Sequence, residues 1–129
     1  MPNNQASPAR ILVVDDDPLV LRLIIDTLSV EGYDVDSAAN GVAALEKIRH
    51  APFDLILSDL HMPQLDGVGL YRALTEEEGQ PVPRIVFLTG STGSSELHRF
   101  LKETGLPLVR KPFNLAELQQ IVRQALAAP

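Results

Sequence analysis

Residues 10–18 read RILVVDDDP, a short apolar run followed at once by three carboxylates and a proline. A continuous apolar run of this length is typical of a strand that is covered on both faces, as in a parallel sheet. The same form recurs in LILS at residues 55–58 and in IVFL at residues 85–88. These three runs predict the central strands of a parallel sheet.

Two further runs have the features of edge strands. In Tyr33–Ala38, apolar and acidic residues alternate, as on a strand with one wetter face. Leu106–Val109 is short and carries Pro107, which cannot donate a hydrogen bond to a neighbouring strand. We therefore expect these two runs at the two edges of the sheet.

Helical patterns lie between the strands, and most have a recognisable start or end. The expected N-caps are Asp17, Asn40, Asp66 and Asn114. The fourth helix is expected to start at Ser94 or Ser95 and to end at Gly105. Five strands alternating with five helices predict an α/β fold with helices on both faces of a parallel sheet. Such a flavodoxin-like, doubly wound sheet has the strand order 2-1-3-4-5.

The bulk composition excludes several classes of protein. The 129 residues carry a net charge of −6 and no cysteine, which argues against direct binding to nucleic acid or anionic membranes and excludes disulfides. No apolar stretch has the length of a signal peptide or a membrane helix, so we expect a cytoplasmic protein. Residues 1–9 are predicted to be a flexible lead-in, and residues 10–127 one domain.

Polar side chains follow the predicted strands at their carboxyl ends. Asp15 and Asp16 follow the first strand, Asp59 the third, Thr89 the fourth and Lys111 the fifth. Because parallel strands bring these ends to one edge of the sheet, the five side chains should converge there. Three converging carboxylates repel one another unless a cation lies among them. An all-oxygen site favours a hard ion such as Mg²⁺.

The remaining groups suit a phosphoryl group at this edge. Thr89 offers a hydroxyl donor and Lys111 a positive charge, both of which bind phosphate oxygens. A carboxylate held in line with a phosphate donor can become an acyl phosphate. The predicted chemistry is phosphoryl transfer to a carboxylate.

Four segments resemble the signature segments of response regulator receiver domains from two-component signalling. They are ILVVDDDP (11–18), LILSDLHMPQLDG (55–67), IVFLTG (85–90) and VRKPF (109–113). They occur in the family's order and spacing, and the resemblance covers residues 10 to 127. It implies a signalling switch rather than a turnover enzyme, with a sensor histidine kinase or a histidine phosphotransfer domain as phosphodonor. The output partner is unknown, and a homodimer is one option.

The resemblance also implies a role for each site residue. Asp59 is the implied phosphoacceptor, and Thr89 and Lys111 are the implied contacts of the phosphoryl group. The implied Mg²⁺ ligands are Asp59, Asp16 directly, Asp15 mainly through water, and the main-chain carbonyl of His61. The Lys111–Pro112 peptide bond resembles a cis bond of the family. His61 and Ser91 occupy positions that tune the lifetime of the phosphorylated state.

One feature departs from the family pattern, and another indicates which kind of receiver the chain resembles. Many receivers carry Tyr or Phe three residues before the lysine, where this chain has Leu108, so the aromatic half of their switch is missing. The segment at residues 100–113 resembles receivers attached to hybrid sensor kinases. The chain is thus either a stand-alone regulator or the receiver of a hybrid kinase.

Simpler or different interpretations exist for the same residues. Asp17 precedes Pro18 and is interpreted as a helix cap rather than a fourth ligand. Asp15-x-Asp17, Thr89 and Lys111 imitate a haloacid-dehalogenase-type phosphohydrolase, but only Glu117 remains for the later acidic pair that such enzymes need. A phosphate-independent pseudo-receiver scaffold is disfavoured because every expected site residue is present.

Overall fold

The computed structural model describes residues 8–62, 64–76, 83–90 and 95–128. Five strands alternate with five helices within these ranges, as predicted. The bounds are β1 Arg10–Val14, α1 Pro18–Val30, β2 Asp34–Ala38, α2 Gly41–His50, β3 Leu55–Asp59, α3 Gly67–Glu76, β4 Arg84–Thr89, α4 Ser95–Thr104, β5 Leu108–Arg110 and α5 Leu115–Ala127. The expected lead-in falls outside the described residues up to residue 7, as do Ser91 and Ser94.

The five strands form one parallel sheet in the order β2-β1-β3-β4-β5, which confirms the predicted fold. The two runs with edge features are the two edges. Every residue of β3 is buried, in agreement with a central position. The first and third strands are neighbours although they are not consecutive in the chain, so their carboxyl ends flank the point where the winding reverses.

The bounds of the strands differ in detail from those predicted. The second strand begins at Asp34 instead of Tyr33, and the fifth covers Leu108–Arg110 instead of residues 106–109. Pro107 therefore lies just before the strand. Its carbonyl still accepts a hydrogen bond from the Phe87 N–H at 3.0 Å, which needs no N–H from the proline.

Alternating side chains of the strands build a separate core on each face of the sheet. One core receives side chains from α2, α3 and α4, among them Ala44, Leu70, Leu74, Leu97 and Phe100. The other receives Ile24 and Leu28 from α1, and Leu118 and Val122 from α5. This three-layer arrangement leaves the ends of the strands as the uncovered edges.

The helix caps follow the predicted pattern. The Asp17 side chain accepts a hydrogen bond from the Leu19 N–H at 2.9 Å, which confirms that Asp17 is a cap. Asn114 and Glu117 form a reciprocal capping box at the start of α5. Gly105 ends the turn after α4 with a φ of 66°, a left-handed conformation that favours glycine. None of the helices in the described ranges has the combined length and apolarity that crossing a bilayer requires.

Candidate functional site

The structure brings the predicted polar residues to one edge of the sheet. Asp59 and Thr89 are the last residues of β3 and β4, while Asp15 and Asp16 follow β1 and Lys111 follows β5. One carboxylate oxygen from each of Asp15, Asp16 and Asp59 lies within 4.8 Å of those of the other two. The convergence expected from the strand ends is therefore present.

The ammonium group of Lys111 lies between two of these carboxylates. Its Nζ is 2.7 Å from Asp15 Oδ2 and 3.4 Å from Asp59 Oδ2. The backbone N–H of Lys111 donates to the Thr89 carbonyl at 2.7 Å, and the following bond to Pro112 is cis, as predicted. Burial would lower the pKa of Lys111, but the two carboxylates outweigh it and the pKa is raised. The side chain thus stays charged at neutral pH.

Asp15 and Asp16 are neighbours in the chain but differ in their surroundings. Asp15 is fully buried, and its Oδ1 accepts a hydrogen bond from the Asp17 N–H at 2.9 Å while its Oδ2 faces Lys111. Both of its oxygens are thus engaged by the protein. Asp16 is exposed. The two carboxylates thus differ in how open they are to a further partner.

Asp59 is buried but loosely held. Its Oδ1 accepts a hydrogen bond from the His61 N–H at 3.3 Å and its Oδ2 one from Lys111 at 3.4 Å, both long for such bonds. Burial raises the pKa of Asp59, and the Asp15 carboxylate adds to this effect, against the opposing influence of His61 and Lys111. A carboxylate has about four lone-pair directions, so Asp59 keeps acceptor capacity for a further partner.

The chemistry of these donors fits a hard divalent cation. Oxygen atoms from Asp15, Asp16 and Asp59 lie close enough to surround one ion. A cation there would favour the ionised form of Asp59 and so oppose the effect of burial, which raises its pKa. The single lysine among them supplies one positive charge for three carboxylates. The site therefore carries an excess of negative charge, which makes it compatible with a bound metal ion.

In the metal-free protein, Asp59→Asn should increase the stability of the fold at neutral pH. Because the folded-state pKa is raised, the folded protein binds this proton more tightly than the unfolded chain, whose value lies near 3.8. The associated stability is present below that value and is lost as pH rises through the folded-state pKa. Asparagine does not ionise, so the variant should be the more stable of the two proteins at pH 7.

Denaturant unfolding in the presence of a chelator measures this difference. The difference in stability should shrink as pH falls below the unfolded-state pKa near 3.8, because the parent carboxyl then becomes protonated in both states. With saturating Mg²⁺ the difference in stability should become smaller or change sign, because only the parent has all three carboxylates to bind the ion. A parent that is more stable than the variant at pH 7 without metal would contradict an unfavourable burial of the ionised Asp59 carboxylate.

Gly67, the residue after the expected cap Asp66, supports the backbone of Asp59. A Cβ at this position would lie 2.6 Å from the Asp59 carbonyl oxygen and 3.0 Å from the Leu60 Cα. The Gly67 N–H donates to the Leu60 carbonyl at 3.2 Å. The start of α3 therefore presses directly on the end of β3, and only glycine allows this approach. The Asp-Gly pair after the third strand marks a turn in the sequence but does not indicate this contact.

Gly67→Ala should destabilise the fold by about 1 to 3 kcal/mol, because backbone rather than a flexible side chain must move. Gly69→Ala is the matched control in the same helix. Its added Cβ would meet mainly the tip of the Leu65 side chain, at 2.6 Å, and a helical alanine is favoured over glycine by about 0.5 to 1 kcal/mol. Denaturant unfolding of both variants tests the difference, and equal losses would contradict it.

The other predicted site residues keep their positions at this edge. Thr89 is almost fully buried at the end of β4, beside Arg110 of β5 in the strand register. His61 is exposed, two residues beyond Asp59, and its carbonyl remains a predicted ligand. His50 and His98 are exposed helix residues, as expected. No role beyond a surface position follows for these two.

A family model described as the response regulator receiver domain matches residues 11–123. The chain is 34% identical over 124 residues to the response regulator receiver protein CpdR of Brucella abortus, covering 92% of this chain and 98% of CpdR. It is 37% identical over 117 residues to the DNA-binding response regulator MtrA of Mycolicibacterium smegmatis, covering 91% of this chain and 50% of MtrA. It thus spans nearly all of one relative but half the length of the other.

Solved structures show the same fold. The receiver domain of the sensor histidine kinase PA1611 from Pseudomonas aeruginosa aligns with a TM-score of 0.81 at 31% identity. The alignment covers 94% of this chain and 99% of that chain, whose structure has a magnesium ion coordinated in the active site cleft. Both the sequence and the structure comparisons therefore lead to the same family.

Proposed function

Because the chain belongs to the response regulator receiver domain family, we propose that it is switched by a phosphoryl group carried on Asp59. The observation that supports this best is the cluster at the carboxyl edge of the sheet. Three carboxylates share a small volume, and the Lys111 ammonium lies 2.7 Å from one and 3.4 Å from another. Family members are signalling switches, and here the carboxylate cluster and Lys111 would carry out the phosphorylation that operates the switch.

Mg²⁺ is the proposed cofactor, held by Asp16 and Asp59 directly, by Asp15 through water, and by the His61 carbonyl. Both oxygens of Asp15 are already engaged by Asp17 and Lys111, which favours an indirect role for this residue. When bound, the ion supplies charge neutralisation for the phosphate oxygens. The magnesium in the PA1611 receiver supports the same choice of metal here.

The remaining steps belong to the side chains. An Asp59 carboxylate oxygen forms a bond to phosphorus while the bond from phosphorus to the donor's histidine nitrogen breaks, and that nitrogen keeps the electron pair. Lys111 then exchanges part of its contact with the carboxylates for a phosphate oxygen. The Thr89 hydroxyl donates a hydrogen bond to another phosphate oxygen. Water later attacks the phosphorus, the bond from phosphorus to the Asp59 oxygen breaks, and inorganic phosphate leaves while Asp59 becomes a free carboxylate again, which resets the switch.

The proposed donor is a sensor histidine kinase or a histidine phosphotransfer domain, and residues 10–127 are the proposed signalling unit. A receiver within a sensor kinase, as in PA1611, and a receiver that makes up about half of a longer protein, as the match to MtrA shows, are both compatible with this unit. The net charge of −6 favours a protein partner over direct nucleic acid contact.

Incubation with a small acyl phosphate or phosphoramidate and Mg²⁺ tests the proposal. We expect one phosphoryl group per chain. Treatment with hydroxylamine should remove it, because hydroxylamine cleaves acyl phosphates. The haloacid-dehalogenase alternative predicts instead continuous hydrolysis of a phosphate ester such as p-nitrophenyl phosphate. Steady turnover of that ester without a stable phosphorylated chain would overturn the proposed function.

A further inference from the structure

An aromatic ring lies beside the position where this chain lacks one. In the register of the two last strands, Leu108 of β5 pairs with Phe87 of β4. Paired residues of parallel neighbouring strands point to the same face of the sheet. Both residues belong to the core covered by α2, α3 and α4. The ring that is missing at residue 108 is therefore present on the adjacent strand.

Phe87 is linked to the phosphorylation site in two ways. It precedes Thr89 by two residues on β4, so the two side chains share a face of the sheet. Its ring atom Cε1 lies 3.2 Å from the place where a Cβ of Gly67 would be. Gly67 in turn lies against the carbonyl of Asp59. A shift of either strand end is therefore transmitted to the Phe87 ring by direct packing.

From Phe87 a line of ring contacts leads away from the site. The Phe87 and Phe100 rings are 5.9 Å apart at their centroids, and the Phe100 and Tyr71 rings are 5.7 Å apart. Both pairs meet edge to face, at 65° and 79°, which is a favourable geometry for aromatic pairs. The contacts connect β4 to α4 and then to α3. They end on Tyr71, which is half-buried.

The middle ring of this line borders a cleft. Phe100 lines an open cleft of about 290 Å³ between α3 and α4, together with Leu60, His61 and Leu97. A ring that is packed on all sides cannot change its position without a large cost, whereas one beside a cleft can. The cleft also reaches His61, two residues beyond Asp59.

We propose that Phe87, Phe100 and Tyr71 couple the phosphorylation of Asp59 to the surface formed by α3 and α4, in place of an aromatic residue at position 108. The inference rests on the proposed function, because it needs a modified Asp59 as its input. The three rings are coupling residues without a catalytic role. The surface beside α3 and α4 is accordingly the one whose shape differs between the two states.

A single fluorine spectrum can follow the input and the output together. The chain has two tyrosines and no tryptophan, so Tyr33→Phe leaves Tyr71 as its one tyrosine. In this background, fluorotyrosine labels Tyr71 alone. Mg²⁺ with beryllium fluoride, a stable substitute for the phosphoryl group, adds its own bound-fluoride resonances. Those resonances report occupancy of the site, and the Tyr71 resonance reports coupling.

Phe87→Leu is the test variant. Because Phe100 separates the Phe87 ring from Tyr71, this substitution removes no ring that contacts Tyr71 directly. Phe53→Leu is the control, since Phe53 belongs to the same core but precedes β3, at the end of the sheet opposite the site. Phe100→Leu is the second test variant should Phe87→Leu fail to fold. Phe100 and Phe53 are matched in burial, each being 8% exposed.

Beryllofluoride should bind all of these proteins. The Tyr71 resonance should shift in the parent and in Phe53→Leu, and most of that shift should be lost in Phe87→Leu or Phe100→Leu. A full shift in an occupied test variant would overturn the coupling, as would an unmoved resonance in the occupied parent. Absence of bound fluoride in the parent would instead overturn the proposed function, and the coupling with it.

Discussion

Asp59→Asn should abolish phosphate incorporation from a small acyl phosphate donor, a loss of at least about a hundredfold. The amide is a poor nucleophile and carries no charge to bind the metal. The neighbouring carboxylates are not positioned to replace Asp59 as the phosphoacceptor. Both oxygens of Asp15 already accept hydrogen bonds, and Asp16 is exposed and lies beyond the end of β1.

Asp66→Asn is the matched control for this loss. Asp66 follows the same strand, and its Oδ1 accepts a hydrogen bond from the Gly69 N–H at 2.8 Å, a contact that asparagine can also make. This variant should therefore incorporate phosphate like the parent. Intact-protein mass spectrometry measures both. Undiminished incorporation in Asp59→Asn would place the acceptor elsewhere.

Asp16→Asn should raise the Mg²⁺ concentration needed for phosphorylation by about 10- to 100-fold. The variant removes one negative charge from the cluster without removing a hydrogen bond that holds the fold. The measurement is the rate of incorporation as a function of Mg²⁺ concentration. At saturating metal, part of the rate should return, because the nucleophile and Lys111 are unchanged.

Asp17→Asn provides the control at the adjacent position. Asp17 is also an exposed carboxylate, but its side chain caps α1 through the Leu19 N–H, and asparagine caps as well as aspartate does. Its Mg²⁺ requirement should stay close to that of the parent. Equal changes in the two variants would mean that general negative charge, and not ligation by Asp16, determines metal binding.

Much of this architecture could be predicted because it follows from local patterns. The apolar runs of β1, β3 and β4 and the capping residues Asp17 and Asn114 are short-range signals, and the structure confirms them. The convergence of polar residues also follows from sequence, since parallel strands place their carboxyl ends together. The family resemblance then assigned roles to those residues that geometry alone could not assign.

The features that were missed depend on contacts between distant segments. No local pattern shows that Gly67 lies against the Asp59 carbonyl, because the approach is set by how α3 packs on β3. The contact between Phe87 and Phe100 likewise joins residues on a strand and on a helix. The start of β5 was placed two residues too early, since Leu106 continues the apolar pattern although it lies outside the strand.

Borohydride trapping of the phosphorylated chain tests the central claim most directly, because it reduces an acyl phosphate to an alcohol at the residue that carries it. Peptide mass spectrometry then identifies that residue. We predict homoserine at position 59 alone, and only when donor and Mg²⁺ were both present. Reduction at any other residue, or a phosphorylated chain that borohydride leaves unchanged, would contradict this account.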